Sequence, residues 1–499
     1  MTRPNENYAV RVVRRIRLVA IVAGTIILLS ACTVGPDYVK PSVETPPAYK
    51  EAEGGAKWQI AQPKDDVIRG AWWELFNDPQ LNALEAQVVI SNQNIAVAEA
   101  QYRQALALVQ AARTGYFPTV GVNGSATRSR TPFISGGSSG STRTSSSGGA
   151  VNNFLVSGNA LWEPDIWGKV RRTVEANEAS AQASAADLAS IRLSAQTALA
   201  QDYFQLCMLD AQKKFYTETV SAYQTFLTLT KNRYAAGIAS RADVLVAETQ
   251  LKTTQAQAID LGVQRAQLEH AIAMLIGKSA SVFSIPATPL STTPPSIPLS
   301  VPSVLLERRP DIAAAERLAA AANAQIGVAE AAYYPNITLT ATGGLESSQL
   351  ANWLTWPNRL WSIGAAAAET VFDAGLRSAQ TAQARAAYDA SVASYRQTVL
   401  TGFQEVEDDL SSLRILEEEA RAQDEAVKAA RLSVTVSTNQ YKAGIISALD
   451  IVAIQTIALS DERTAIGIAG QRMTASVLLI SALGGGWDVA ELKLARDGR

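Results

Sequence analysis

The supply of catalytic side chains is thin. In 499 residues there is one imidazole, His270, and there are two thiols, Cys32 and Cys207. An imidazole moves protons usefully only beside a partner that orients it, and a thiol attacks or binds metal only as the thiolate. His270 lies in a helical stretch, Gln264 to Ile276, with no such constellation, and reads as a satisfied structural histidine. Cys207 falls on a helical seam of small residues and reads as a small buried hydrophobe. No serine nucleophile elbow, phosphate loop or metal-ligand spacing occurs. A periplasmic enzyme is therefore not supported, and no cofactor or metal is expected.

The chemistry left is done to the chain rather than by it. Leu29-Ser30-Ala31-Cys32 reads as a bacterial lipobox in which Cys32 becomes the acylated first residue. It is preceded by a positive segment, Arg3, Arg11, Arg14, Arg15 and Arg17, and by an apolar run, Leu18 to Leu29, too short to span a bilayer. An ordinary secretory signal with an incidental Cys is the alternative. Thr33 stands where an inner-membrane retention signal usually places Asp, which favours the outer membrane, with acyl chains as anchor. The leader holds five Arg and one Glu, so its removal takes 44 basic and 46 acidic residues to 39 and 45, a net −6. No basic cluster with interleaved aromatics appears, which argues against nucleic acid. Without Cys32 a disulfide framework is impossible.

The elements that carry these residues repeat. Asn232-Arg233-Tyr234-Ala235-Ala236-Gly237-Ile238 returns as Asn439-Gln440-Tyr441-Lys442-Ala443-Gly444-Ile445, 207 residues on, and Ser240 and Asp243 return as Ser447 and Asp450. Upstream, Ile95, Glu99 and Tyr116-Phe117-Pro118 return as Ile312, Glu316 and Tyr333-Tyr334-Pro335 at an offset of 217, so the first copy carries a longer loop. Within each copy the pattern predicts helix, strand, strand, long helix, turn, helix.

Asp78 and Pro79 suit the start of a first helix running to about Gly115, where Pro118 stops it. Val120, Val122, Gly124 and Ala126 then alternate with Asn123, Ser125 and Thr127. A Ser/Gly-rich loop within Pro132 to Ala150 follows, and Phe154 to Trp162 gives the second strand. Ile337 to Ala341 and Trp361 to Val371 repeat the pair. Each strand has about the length of a tilted membrane strand, ~9–11 residues; a soluble hairpin fits the periodicity too. From Trp167 to Tyr234 and from Asp373 to Tyr441 there is no proline. Each stretch would make a helix about 100 Å long at ~1.5 Å per residue. In the first, Ala176, Ala179, Ala183, Ala186, Ser190, Leu193, Thr197, Ala200, Phe204 and Cys207 form a seam of mostly small residues that lets helices approach closely. Gly237 and Gly444 can close the long helices in the left-handed conformation, and Ser240 and Ser447 can cap the returning ones. Ser284 to Pro302 is a proline-rich linker.

Two copies supply four strands. Four cannot close a membrane barrel, whose lower limit is about eight, and open edges are not tolerated in lipid. Strands in the membrane would therefore require an oligomer.

Several segments resemble the TolC-type outer-membrane efflux proteins, in the NodT-like lipoprotein branch. They are Val34-Gly35-Pro36-Asp37-Tyr38, Trp72-Trp73 with Phe76 and Asp78-Pro79, Leu305-Leu306-Glu307-Arg308-Arg309-Pro310-Asp311-Ile312, both Tyr-x-x-Gly turns, and Phe403-Gln404-Glu405-Val406-Glu407-Asp408. The resemblance covers nearly the whole mature chain. It implies a mixed α and β membrane protein: a homotrimer with a β-barrel of four strands per chain, a long α-helical barrel and an equatorial domain. It implies a passive exit duct for small molecules in the outer membrane of a Gram-negative bacterium. Its partners would be a periplasmic adaptor (membrane fusion) protein and an inner-membrane pump, often of the resistance-nodulation-division class. By position, Leu449 and Asp450 would line a periplasmic gate, with Tyr441 tying neighbouring helices and Asp243 and Tyr234 as first-copy equivalents. The turns at Gly237 and Gly444 would meet the adaptor. Some relatives carry a second acid where this chain has Ala453, which implies weaker cation selectivity. A type I protein-secretion duct and a non-pore, lipid-anchored coiled-coil protein are the rival readings. The expected organisation is a signal peptide at 1–31, a lipid-anchored strap at 32–79, repeats at 80–283 and 303–484 around a linker at 284–302, and a tail at 485–499.

Overall fold

The computed structural model describes residues 33–51, 70–130, 150–290, 293–295, 297 and 308–489. The signal peptide, Cys32 and the Ser/Gly-rich segment 135–149 lie outside them. After a 3-10 turn at Trp72–Phe76, the elements are α1 (Pro79–Ser91), α2 (Gln93–Arg113), β1 (Thr119–Ser129), β2 (Val151–Trp162), α3 (Lys169–Ala235) and α4 (Arg241–Leu275). Then come α5 (Pro310–Ala331), β3 (Asn336–Ser347), β4 (Arg359–Ala368), α6 (Leu376–Lys442) and α7 (Ala448–Ala482). The long helices α3 and α6 are 67 residues each and the returning α4 and α7 are 35 each, so the duplication holds to the residue.

The chain divides into two compact units. One gathers Gln104–Ala181, Arg317–Val392 and the strap up to Lys40; the other gathers Pro41–Arg103, Gln182–Glu316 and the chain from Ala393 on.

The first unit is built on one antiparallel sheet in the order β1-β2-β3-β4. β4 ends at Ala368 rather than at Val371, because Ala368 pairs with Asn336, the first residue of β3. The residue before it, Pro335, has no N–H for the ladder. Each strand that feeds a long helix does so through an aspartate. Asp165 accepts from the N–H of Val170 (2.9 Å) and Arg171 (2.8 Å), and Asp373 accepts from the N–H of Gly375 (2.9 Å) and Arg377 (3.2 Å). These acids satisfy donors that a helix start otherwise leaves orphaned.

The second unit holds the largest apolar core, with Trp72, Phe76, Leu81, Val88, Tyr203, Phe204, Ile272 and Val477 at its centre. Asp78 caps α1 through the N–H groups of Gln80 (2.9 Å) and Leu81 (3.1 Å), while its other oxygen accepts from the Tyr203 hydroxyl at 2.7 Å. Sequence reading expects one helix to Gly115; the structure breaks it at Asn92. That side chain accepts from the N–H of Asn94 (2.9 Å) and Ile95 (3.2 Å), starting α2, and donates to Leu275 O at 2.8 Å. Gly277 (φ +68°) abuts the break so closely that a Cβ there would lie 2.2 Å from Ser91 O.

Eight of the ten seam positions on α3 are buried, all but Ser190 and Leu193. Cys207 is among them, and burial pushes its thiol up to about 12. His270 differs from expectation. It lies on an exposed face of α4. The described start of the linker is docked rather than free: Ile285 N–H donates to Glu269 at 2.6 Å, Thr288 N–H to Asp210 at 3.0 Å, and Leu290 N–H to Cys207 O at 3.2 Å.

Candidate functional site

Side chains paired across a sheet share a face, so the register separates two surfaces. One carries Val120, Val122 and Ala126 of β1, Phe154, Val156, Ala160 and Trp162 of β2, Ile337, Leu339 and Leu345 of β3, and Trp361, Ile363 and Ala365 of β4. The other carries Asn123, Ser125 and Thr127, then Asn153, Ser157 and Asn159, then Thr338, Thr340, Thr342 and Glu346. Asn123 donates to Asn159 at 2.9 Å and Asn153 to Glu346 at 2.8 Å on this polar side. Val122, Trp361 and Ile363 are 78%, 74% and 79% exposed in the single chain, so on β1 and β4 the apolar face is largely uncovered, while Phe154 of β2 meets the ring of Trp353 at 6.2 Å. A two-faced sheet with both edges open suits a wall between lipid and water. The strand reading from the sequence holds here.

The helix turns form the second candidate site. At each turn a glycine takes φ > 0, Gly237 at 74° and Gly444 at 77°. The N–H groups of Ile238 and Ile445 reach back to Arg233 O and Gln440 O, each at 2.9 Å. This closure satisfies orphan carbonyls as a helix C-terminus requires. Two residues on, Ser240 and Ser447 cap α4 and α7 in matching capping boxes. Ser240 N–H donates to Asp243 at 2.8 Å and Ser447 N–H to Asp450 at 3.0 Å, and each serine hydroxyl accepts from the aspartate N–H. Hydrogen bonds from the Ser447 side chain and then its backbone hold the Asp450 carboxyl below the usual carboxylate range.

The two predicted tyrosines do not have equivalent surroundings. Tyr441 is buried, its hydroxyl 3.1 Å from Thr230 Oγ1, its ring 5.2 Å from that of Phe226 and 4.8 Å from the Arg233 guanidinium carbon. Arg233 also donates to Tyr441 O at 2.9 Å and Lys442 O at 3.1 Å. Tyr234 is half exposed. The sequence differs over the preceding two helix turns: Phe226, Thr230 and Arg233 of α3 correspond to Ser433, Ser437 and Gln440 of α6, which offer neither a ring nor a guanidinium. Leu449 corresponds to Ala242 and projects 64% exposed. The structure thus groups Tyr441 with Arg233 and Asp450 with Ser447, and leaves Leu449 and Tyr234 free in the single chain.

Two buried arginines hold contacts that the sequence does not reveal, Arg172, which no motif contains, and Arg309, which sits in a motif without an assigned role. Arg172 of α3, 4% exposed, donates to Val34 O (3.3 Å), Gly35 O (3.1 Å), Asp37 (2.8 Å) and Glu175 (2.8 Å). Asn323 donates to Pro36 O at 2.9 Å, and Gly35 (φ +92°) is so close to α5 that a Cβ would lie 2.4 Å from Gly327 Cα. These contacts explain the Val-Gly-Pro-Asp-Tyr segment as a docked strap. In the second unit, Arg309 joins Asp311 (2.7 Å), Glu405 (2.6 Å) and Ala482 O (3.1 Å), which ties the Arg-Arg-Pro-Asp motif to the Phe-Gln-Glu motif. A paired acid near each buried arginine was the available signal.

Glu85 on α1 is fully buried with neither carboxylate oxygen hydrogen-bonded, and burial raises its carboxyl to about 9. Among the described residues no group of three metal-type side chains gathers.

Residues 84–278 and 301–485 match the family described as "Outer membrane efflux protein". A probable efflux pump outer membrane protein, TtgC of Pseudomonas putida, is 29% identical over 470 residues, covering 93% of this chain and 95% of that protein. The pyoverdine export outer membrane protein OpmQ of Pseudomonas aeruginosa is 28% identical over 472 residues, covering 94% and 97%. Among solved structures, that of the outer-membrane channel OprN is similar with a TM-score of 0.84 at 28% identity, covering 91% of this chain and 100% of that one. The family match breaks at the proline-rich stretch between the copies, and on its extent the chain belongs to the outer membrane efflux protein family.

Proposed function

We propose that this outer-membrane component of an efflux system works as a homotrimer, a passive exit duct for small molecules handed over by a periplasmic adaptor and an inner-membrane pump. The observation that carries the trimer is the sheet. It has an apolar face, a polar face and two unpaired edges, so it becomes a membrane wall only when further copies close it. Three copies give twelve strands. Helices of 67 residues, about 100 Å at ~1.5 Å per residue, are long enough to reach deep into a periplasm. The two repeats at 80–283 and 303–484 then contribute alternate staves of the same tube, and Cys32 carries the lipid anchor at the start of the 32–79 strap. The inner-membrane partner is of the resistance-nodulation-division class.

The gate is at the second-copy turn. Leu449 supplies an apolar ring and Asp450 an ionised one, and three Asp450 focus negative potential on the axis. Tyr441 fixes α6 to α3 behind them, Asp243 and Tyr234 hold the corresponding first-copy positions, and the Gly237 and Gly444 turns face the adaptor. Single-channel conductance in planar bilayers tests this, comparing the purified protein with Leu449→Ala/Asp450→Ala. A small native conductance that rises sharply in the variant supports the gate. Equal conductance in both moves the gate elsewhere, and none from inserted trimers of either protein sinks the duct.

A further inference from the structure

The four strands hold three charged residues: Arg128 on β1, Glu346 on β3 and Arg359 on β4. The register sorts them by sign. Glu346 lies on the polar face, held by Asn153 at 2.8 Å. Arg128 lies in line with Val120, Val122, Gly124 and Ala126, and Arg359 pairs with Leu345 in line with Trp361 and Ile363, so both cations are on the apolar face. A lipid-facing arginine is tolerated only near the interface. Both meet that condition: Arg128 is next to last in β1 and Arg359 is first in β4, at the ends that lead into loops rather than into helices.

β1 and β4 are also the two edges of the sheet. β2 and β3 already have both neighbours, so a closed ring of copies must join β4 of one protomer to β1 of the next. The apolar sides must all face outward. Every joint of the ring then carries Arg359 from one protomer and Arg128 from its neighbour on the same side and toward the same rim.

Among the described residues no carboxylate pairs with Arg128 or Arg359, and Arg359 lies over the Trp356 ring, 4.5 Å from its centre. Stacking leaves the N–H fork of an arginine free for a bidentate acceptor. The loop ends of the strands face away from the helices, hence toward the outer leaflet. A phosphate monoester carries about −1.5 to −2 charge near neutral pH, which matches two guanidinium groups better than the single charge of a phosphodiester.

We propose that each β4–β1 joint binds a phosphate monoester of an outer-leaflet glycolipid, gripped by Arg359 and closed by Arg128 of the next protomer, with three sites per trimer. This rests on the trimeric reading above.

Native mass spectrometry of the full-length protein tests it, with bisphosphorylated lipid A, dephosphorylated lipid A or phosphatidylglycerol added. The expected result is up to three bisphosphorylated lipids per trimer, with binding of the other two lipids at least tenfold weaker. Arg128→Gln/Arg359→Gln should lose that preference while remaining trimeric, and Arg359→Lys, which keeps the charge without the fork, should fall between. An intact variant trimer that binds like the parent overturns the site. So does equal binding of the dephosphorylated lipid or of phosphatidylglycerol, and in both cases the ring reading stands. A parent protein of monomer mass overturns the ring and the site together.

Discussion

Arg233, which precedes Tyr234 at the first-copy turn, lies over the ring of Tyr441, the residue that matches Tyr234 in the second copy. The contact couples the ends of two helices that the sequence presents as independent repeats. It combines a cation–π contact, worth roughly 0.5–2 kcal/mol, with two hydrogen bonds to carbonyls at the end of α6.

Removing that grip should loosen one turn and spare the other. Arg233→Ala is expected to cost about 1–3 kcal/mol locally and to speed amide hydrogen exchange at 439–445. Tyr441→Phe should cost about 1 kcal/mol through the lost Thr230 bond. Tyr234→Phe, at a half-exposed ring, should change protomer stability by less than about 0.5 kcal/mol. Equal effects at both tyrosines would contradict the asymmetry.

The strap depends on a glycine that cannot be replaced. Gly35→Ala puts a Cβ 2.4 Å from Gly327 Cα at φ +92°, and should release residues 33–40 to limited proteolysis. Arg172→Ala, which removes the hydrogen bonds to Val34 O and Gly35 O, should do the same at a cost of about 1–3 kcal/mol. A strap equally protected in both variants would show that the lock lies elsewhere.

Glu85 gives the protein a pH dependence of definite sign. Burial raises its folded pKa from 4.5 to about 9. A raised folded value means that its contribution is fully present below the unfolded pKa and is lost as pH rises through the folded one. Stability should therefore decline between pH 4.5 and 9, with a penalty at pH 7 of roughly 3 kcal/mol at 1.36 kcal/mol per pKa unit. Glu85→Gln should remove the decline. Denaturation midpoints of both proteins at pH 5 and pH 8 check it: the gap between them should open toward pH 8, and a constant gap would rule it out.

Thiol counting tests both cysteines in one experiment. Cys207 is buried with its thiol pushed up to about 12, so the mature native protein should take up no maleimide at neutral pH. After denaturation it should take up one equivalent per chain. Two equivalents would mean that Cys32 is not acylated, and labelling in the native state would mean that Cys207 is accessible.

What the sequence made legible is what repeats or is local. The glycine turns, the serine caps, the α3 seam and the alternating strands are each set by residues within a few positions of one another. The break at Asn92 was hidden because its partner, Leu275 O, is 183 residues away and the helical pattern runs through it. The Val-Gly-Pro-Asp-Tyr segment was visible as a motif but not as a lock, since Arg172 is 135 residues from Asp37. Tyr234 and Tyr441 looked interchangeable because the match was judged at the turn. The difference lies along the preceding helices, in Phe226, Thr230 and Arg233 against Ser433, Ser437 and Gln440.

That difference means the duplication has lost its redundancy. A chain assembled from two first copies would still make both turns and both capping boxes, but Ala242 would stand in place of Leu449 and nothing apolar would project there. One assembled from two second copies would keep the leucine and lose the guanidinium that grips the tyrosine, since Gln440 replaces Arg233. Each half now carries an instruction that the other lacks, so damage to one turn has no spare to fall back on. Neither half can stand in for the other.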